Sequence, residues 1–334
     1  VKASVPAAPP KHLAGGGKQQ AREGNRMKSE KIWLVTGASA GLGLVLVKLL
    51  LDLRHKVAAT SRDGDALLDA VGAKLEGQFL PLTVDLADER NVRRAVDATV
   101  AAFGGVDVVV NHASVAPQGA LSQLPDADVR AAFDINVFGM LNVIRAVLPR
   151  MQAQGGGHVF NLSSILGFDG GHAEWGAYSA SKFAVAGLTE ALAAEAAPMG
   201  VRVSLVYPGA MQPDSRSDRR FGSAALATAA VSTAAVTTAA VTTAAVTTAT
   251  APNFIAPEQA TRDPQRRESG ADPVKAAQAL IQAAEAQYAP LHLFLGRDAF
   301  DQARGKIHSV QQELARWREM SVSIGFVDER RLAA

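Results

Sequence analysis

The chain has 334 residues, a formal net charge of +2 and no cysteine. Near-neutrality offers no footing for a polyanionic partner, so no nucleic acid is expected. The missing thiols exclude disulfides, thiolate metal sites and a cysteine nucleophile, and they fit a reducing cytoplasm.

Residues 1–27 read as a disordered tail. Up to Arg26 they are rich in Ala, Pro, Gly and Lys, Glu23 is the only acid, and no apolar periodicity is present. They also lack the apolar centre of a secretory signal. From Lys31 onward, strand and helix signals alternate. Strands are expected over 32–36, 56–60, 79–84, 106–111, 158–163, 201–206 and 291–295. Helices are expected over 42–53, 87–103, 126–151, 177–197, 273–286 and 298–320. Several strand segments are unbroken apolar runs, as required where both sheet faces are covered. Alternation of this kind implies parallel strands joined by right-handed crossovers. The expectation is α/β: a single doubly wound Rossmann-type domain over 28–330, its seven-stranded parallel sheet flanked by helices.

One segment breaks the pattern. Residues 223–250 are nearly pure Ala, Thr and Val on an Ala-Ala-Val-Thr-Thr repeat. A period of five builds no apolar face on a helix and sends successive valines to opposite sides of a strand. The repeat reads as an expansion inside a tolerant substrate loop. Leu, Ile and Phe are sparse there and folded strands lie on both sides, so no membrane span is expected.

After the first strand comes Thr36-Gly37-Ala38-Ser39-Ala40-Gly41-Leu42-Gly43, then a helix. A strand-to-helix turn of small residues lets backbone N–H groups approach a pyrophosphate, which sits on the positive helix N-terminus. At the end of the second strand, Ser61 and Arg62 stand where a carboxylate would accept from the ribose 2′-hydroxyl of NAD. A hydroxyl and a guanidinium suit a 2′-phosphate instead, so NADP (NADPH) is expected over NAD. Tyr178-Ser179-Ala180-Ser181-Lys182 opens an apolar helix, and Tyr178 and Lys182 at i and i+4 share one face. A lysine ammonium at about 5 Å with an effective dielectric of about 20 favours phenolate by roughly 3 kcal/mol, or about two pKa units. On that arithmetic Tyr178 becomes a general acid/base for a carbonyl oxygen.

The spacing Gly-x-x-x-Gly-x-Gly, followed in order by the other motifs, resembles the classical short-chain dehydrogenase/reductase (SDR) family over about residues 28–320. The resemblance implies cofactor contacts from Gly37, Ser39, Gly41, Leu42 and Gly43, and from Asp85 and Leu86 beside the adenine. It implies further contacts from Asn111 and Ala113, from Tyr178 and Lys182 at the nicotinamide ribose, and from Pro208 and Gly209. Ser114 replaces a glycine of the family, and Pro213 stands near its usual threonine. Ser164 matches the serine that stabilises the substrate oxygen, and Asn136 the asparagine that holds a water relaying protons to Lys182.

The expected activity is hydride transfer between nicotinamide and a carbonyl or alcohol carbon of a small organic substrate. The alternative is a catalytically idle NADPH-binding, redox-sensing protein on the same fold. The family reading adds a homodimer or homotetramer. No metal is expected, since the seven histidines show no ligand spacing.

Overall fold

Val108, Val109 and Val110 are all buried, and they divide between two different cores. Val108 and Val110 join Trp33, Val35, Val57 and Phe160 on one side of the sheet. Val109 joins Leu34, Ala58 and Val159 on the other. Successive side chains of a strand point to opposite faces, so an unbroken apolar run is what a sheet covered on both sides requires.

The computed structural model describes residues 30–72, 77–211 and 271–324. The expected tail, the 223–250 repeat and Pro213 lie outside the described residues. The strands are β1 (Ile32–Thr36), β2 (Lys56–Ser61), β3 (Phe79–Thr83), β4 (Val108–Asn111), β5 (Gly157–Leu162), β6 (Val201–Pro208) and β7 (His292–Leu295). They form one sheet in the order β3-β2-β1-β4-β5-β6-β7. Every pairing is parallel.

Helices α1 (Gly41–Asp52) and α7 (Pro273–Glu285) cover the first core. Helices α3 (Glu89–Phe103), α5 (Met140–Ala153) and α6 (Gly176–Ala196) cover the second. Several begin on side-chain caps: Asp88 accepts from Arg90 and Asn91 N–H, and Asp272 from Val274 and Lys275 N–H.

Three helical details differ from the sequence expectation. The run expected over 126–151 is α4 (Asp126–Phe133), a wide π-type turn Asp134–Gly139, and then α5. An unforeseen α2 (Gly64–Val71) is capped by Asp63 and ends at the left-handed Gly72. The last helix breaks at Trp317 into α8 (Arg297–Arg316) and α9 (Arg318–Ser323).

Candidate active site

The strand order reverses between β1 and β4, because their chain neighbours lie on opposite sides. At such a switch point the carboxyl ends of the strands open into a crevice. A cleft of about 1150 Å³ lies there, reaching from Thr60, Ser61 and Arg62 after β2 to Pro208, Gly209 and Met211 after β6.

Gly37, Ser39 and Leu42 line its middle. Gly37 adopts φ +67°, and a Cβ there would lie 2.5 Å from the Ala113 Cα. Only glycine meets both demands. Gly43 backs the same turn: a Cβ there would lie 2.8 Å from both the Gly37 carbonyl and His112 Nδ1. Ala40 provides no side-chain cap for α1, which leaves the first-turn N–H groups without a side-chain acceptor. An uncapped helix N-terminus beside a glycine cradle, in a cleft of this length, fits a dinucleotide.

At the adenosine end, Ser61 and Arg62 line the cleft. Asp63 does not compete with them, because its carboxylate accepts from Ala66 N–H at 2.9 Å to cap α2. Asp85 and Leu86 lie on the same wall. There Asp85 Oδ1 accepts from Ala87 N–H at 3.0 Å, and Asn91 Oδ1 accepts from Asp85 N–H at 2.9 Å.

At the other end, Ser164, Tyr178 and Lys182 meet on one wall. The Tyr178 hydroxyl hydrogen-bonds the hydroxyls of Ser164 and Ser114. Trp175 packs edge-on against its ring at 5.9 Å between centroids and, with His172, also lines the cleft. Lys182 Nζ lies 5.7 Å from the Tyr178 ring centroid and donates to the Leu162 carbonyl at 2.9 Å.

Lys182 and Tyr178 are neighbours, as the sequence arithmetic assumes, but the sign of the outcome is different. Burial pushes the Tyr178 phenol up to about 12, against the lowering pull of the Ser164 and Ser114 hydrogen bonds. Burial also pushes the Lys182 ammonium down to about 7. The expectation that Lys182 makes the phenol acidic is therefore corrected for this chain alone: loss of solvation acts against both charged forms and outweighs their attraction. His112 is likewise held neutral, at about 4, by burial. It donates from Nδ1 to the Gly37 carbonyl at 3.1 Å, a structural role.

Ala113, Pro208 and Gly209 line the cleft as well, whereas Gly41, Gly43, Asn111 and Asn136 do not. Asn111 Nδ2 donates to Asn161 Oδ1 at 2.8 Å. Asn136 is committed to the backbone. Its Oδ1 accepts from Val115 N–H, and its Nδ2 donates to the Val115 carbonyl, both at 2.8 Å. Nδ2 also donates to Ser181 Oγ at 2.9 Å. The Asn136 side chain thus clamps the loop that carries Ser114.

Two contributors escaped the sequence reading. Ser114 was visible as a departure from the family pattern, but not as a partner of Tyr178. Asp298 lies 88 positions from Ala210, whose N–H it accepts at 2.7 Å, and so fixes the loop after β6. No local sequence signal announces that contact. Among the described residues, no group of three His, Cys, Asp or Glu could hold a metal ion.

A sequence profile described as short chain dehydrogenase matches residues 31–223. The chain is 29% identical over 296 residues to Oxidoreductase BOA17 of Botryotinia fuckeliana, covering 88% of this chain and 98% of that one. It is 38% identical over 179 residues to a 3-ketodihydrosphingosine reductase of Bacteroides thetaiotaomicron, covering 54% of this chain and 63% of that one. A short-chain dehydrogenase from Streptomyces avermitilis, known from its crystal structure, superposes with a TM-score of 0.71 at 32% identity. That superposition covers 90% of this chain and 100% of the other.

Proposed function

Because the chain belongs to the short-chain dehydrogenase family, we propose that it is an NADP-dependent oxidoreductase acting on a carbonyl or alcohol carbon of a small organic substrate. The observation that carries this reading is the Tyr178 hydroxyl, held by Ser164 in a cleft that also presents Lys182 and the glycine turn. A dinucleotide held with its pyrophosphate at that turn would supply or accept the hydride through its nicotinamide. Tyr178 holds the proton at Oη and delivers it to the substrate oxygen during reduction. Ser164 Oγ donates to the same oxygen and stabilises its developing charge. Lys182, one helical turn from Tyr178, supplies positive charge and a donor beside the cofactor ribose.

The direction of the Tyr178 shift suits the acid role that reduction requires. A phenol held near 12 is protonated at neutral pH, which is the state a general acid needs. Alcohol oxidation needs phenolate and so accelerates as pH rises. Ser61 and Arg62 support NADPH, since Asp63 is spent on the cap of α2.

The test is a panel of ketones, aldehydes, quinones and 3-oxoacyl thioesters, assayed by nicotinamide absorbance with NADPH and NADH in parallel. Turnover with NADPH preferred is the expected result, and Tyr178→Phe should bind NADPH while losing turnover. A wild-type protein that binds NADPH yet reduces nothing in the panel would instead be the idle redox sensor.

A further inference from the structure

Helix α8 runs out of the body of the protein. Its first turns are packed: Ala299 and Ala303 are buried with Ile165, against Phe168 and Phe294. From Arg304 to Ile324 every residue is exposed. One side of the helix stays apolar all the same. At 100° per residue, Ala299, Ala303, Ile307, Val310, Leu314 and Trp317 fall within an arc of about 80°. The face that the body covers at Ala303 therefore continues uncovered along Ile307, Val310, Leu314 and Trp317, which are 46%, 39%, 65% and 51% exposed. Alternating steps of three and four residues are the seam of a two-helix pair.

We propose that this face docks on the same face of a second copy of the chain, the two α8 helices running antiparallel about a two-fold axis near Val310. Charge selects the partner and its sense. Lys306 and Glu313 lie on the same flank of the seam, seven residues apart, with opposite signs. Antiparallel packing sets like flanks against each other. Each Lys306 then meets Glu313 of the second copy, and the symmetry forms the pair twice. The antiparallel sense also keeps the two bodies apart, since each α8 is rooted in its own body at Ala299 and Ala303. The competing occupant is residues 223–250 of the chain itself, which carry no charge to answer Lys306 or Glu313.

A chain without cysteine makes disulfide trapping clean. A disulfide needs Cα atoms within about 7 Å. Val310→Cys, beside the axis, should therefore form a linked dimer under mild oxidation. Leu314→Cys should not, because its two copies sit more than about 12 Å apart along the helices. In the Val310→Cys background, Lys306→Glu or Glu313→Lys alone should weaken trapping, and the two together should restore it. Circular dichroism and thermal melting of each variant separate lost docking from lost folding. Efficient trapping at both Val310→Cys and Leu314→Cys would mean a parallel pair and overturn the proposal. So would no trapping at Val310→Cys, trapping that appears only after residues 223–250 are deleted, or a double charge reversal that fails to rescue.

Discussion

Ser114 offers the sharpest test of the site, because it replaces a glycine of the family and yet hydrogen-bonds the Tyr178 hydroxyl. Its position is fixed from both sides. Ala113 N–H donates to Thr36 Oγ1 at 3.2 Å, and Val115 is clamped by Asn136. Ser114→Ala removes the hydroxyl and leaves those anchors in place. A hydrogen bond to a charged acceptor contributes about 1.5–3 kcal/mol, so losing it should raise the phenol's pKa by roughly one to two units. Below that pKa the rate of alcohol oxidation follows the phenolate fraction. The logarithm of kcat/KM against pH should then run parallel to wild type, displaced downward about 10- to 100-fold. Carbonyl reduction at the same pH should fall by the same factor, because the equilibrium constant ties the two directions together. The assay is kcat/KM against pH in both directions at saturating cofactor. Superimposable oxidation profiles would show that Ser114 does not act through Tyr178.

Three further outcomes follow from the geometry. Arg62→Ala should raise KM for NADPH by roughly tenfold or more while leaving NADH little changed, because it removes a charge-assisted contact to the 2′-phosphate; equal changes for both cofactors would show that Arg62 is a bystander. Lys182→Met should abolish turnover but stabilise the fold below neutral pH. The unfolded lysine titrates near 10.5 and the folded one near 7, so the unfolded chain binds more protons between those values and wild-type stability rises with pH across that window. Methionine removes this dependence, with a gain of up to roughly 5 kcal/mol at low pH in urea unfolding; a loss of stability there would reverse the sign of the argument. Gly37→Ala should destabilise by about 2–4 kcal/mol, since it combines a left-handed backbone with a Cβ forced against the Ala113 backbone; a neutral urea titration would disprove that packing.

The fold was legible because its signals are local and redundant. Runs such as Val108–Asn111, bounded by turns, mark strands whichever neighbour they find, and the glycine turn marks the crevice. Tyr178 and Lys182 were legible because four residues on a helix fix a geometry without reference to the rest of the chain. Helix α2 is only two turns long and packs only Leu67 and Val71 on the core, so its apolar signal is short, although the Asp63 cap and Gly72 could have announced it. The π-type turn at Asp134–Gly139 is a change of hydrogen-bond partner rather than of composition, and leaves no pattern to read.

The charge state of the pair is not legible in the sequence, for a deeper reason. Coulomb attraction depends on one distance, which helix geometry supplies. Desolvation depends on everything packed around the two groups, which a sequence window does not contain. Tyr178 and Lys182 are 5% and 2% exposed, so the second effect wins. The consequence is chemical: at neutral pH the phenol keeps its proton, while the lysine beside it exchanges one readily.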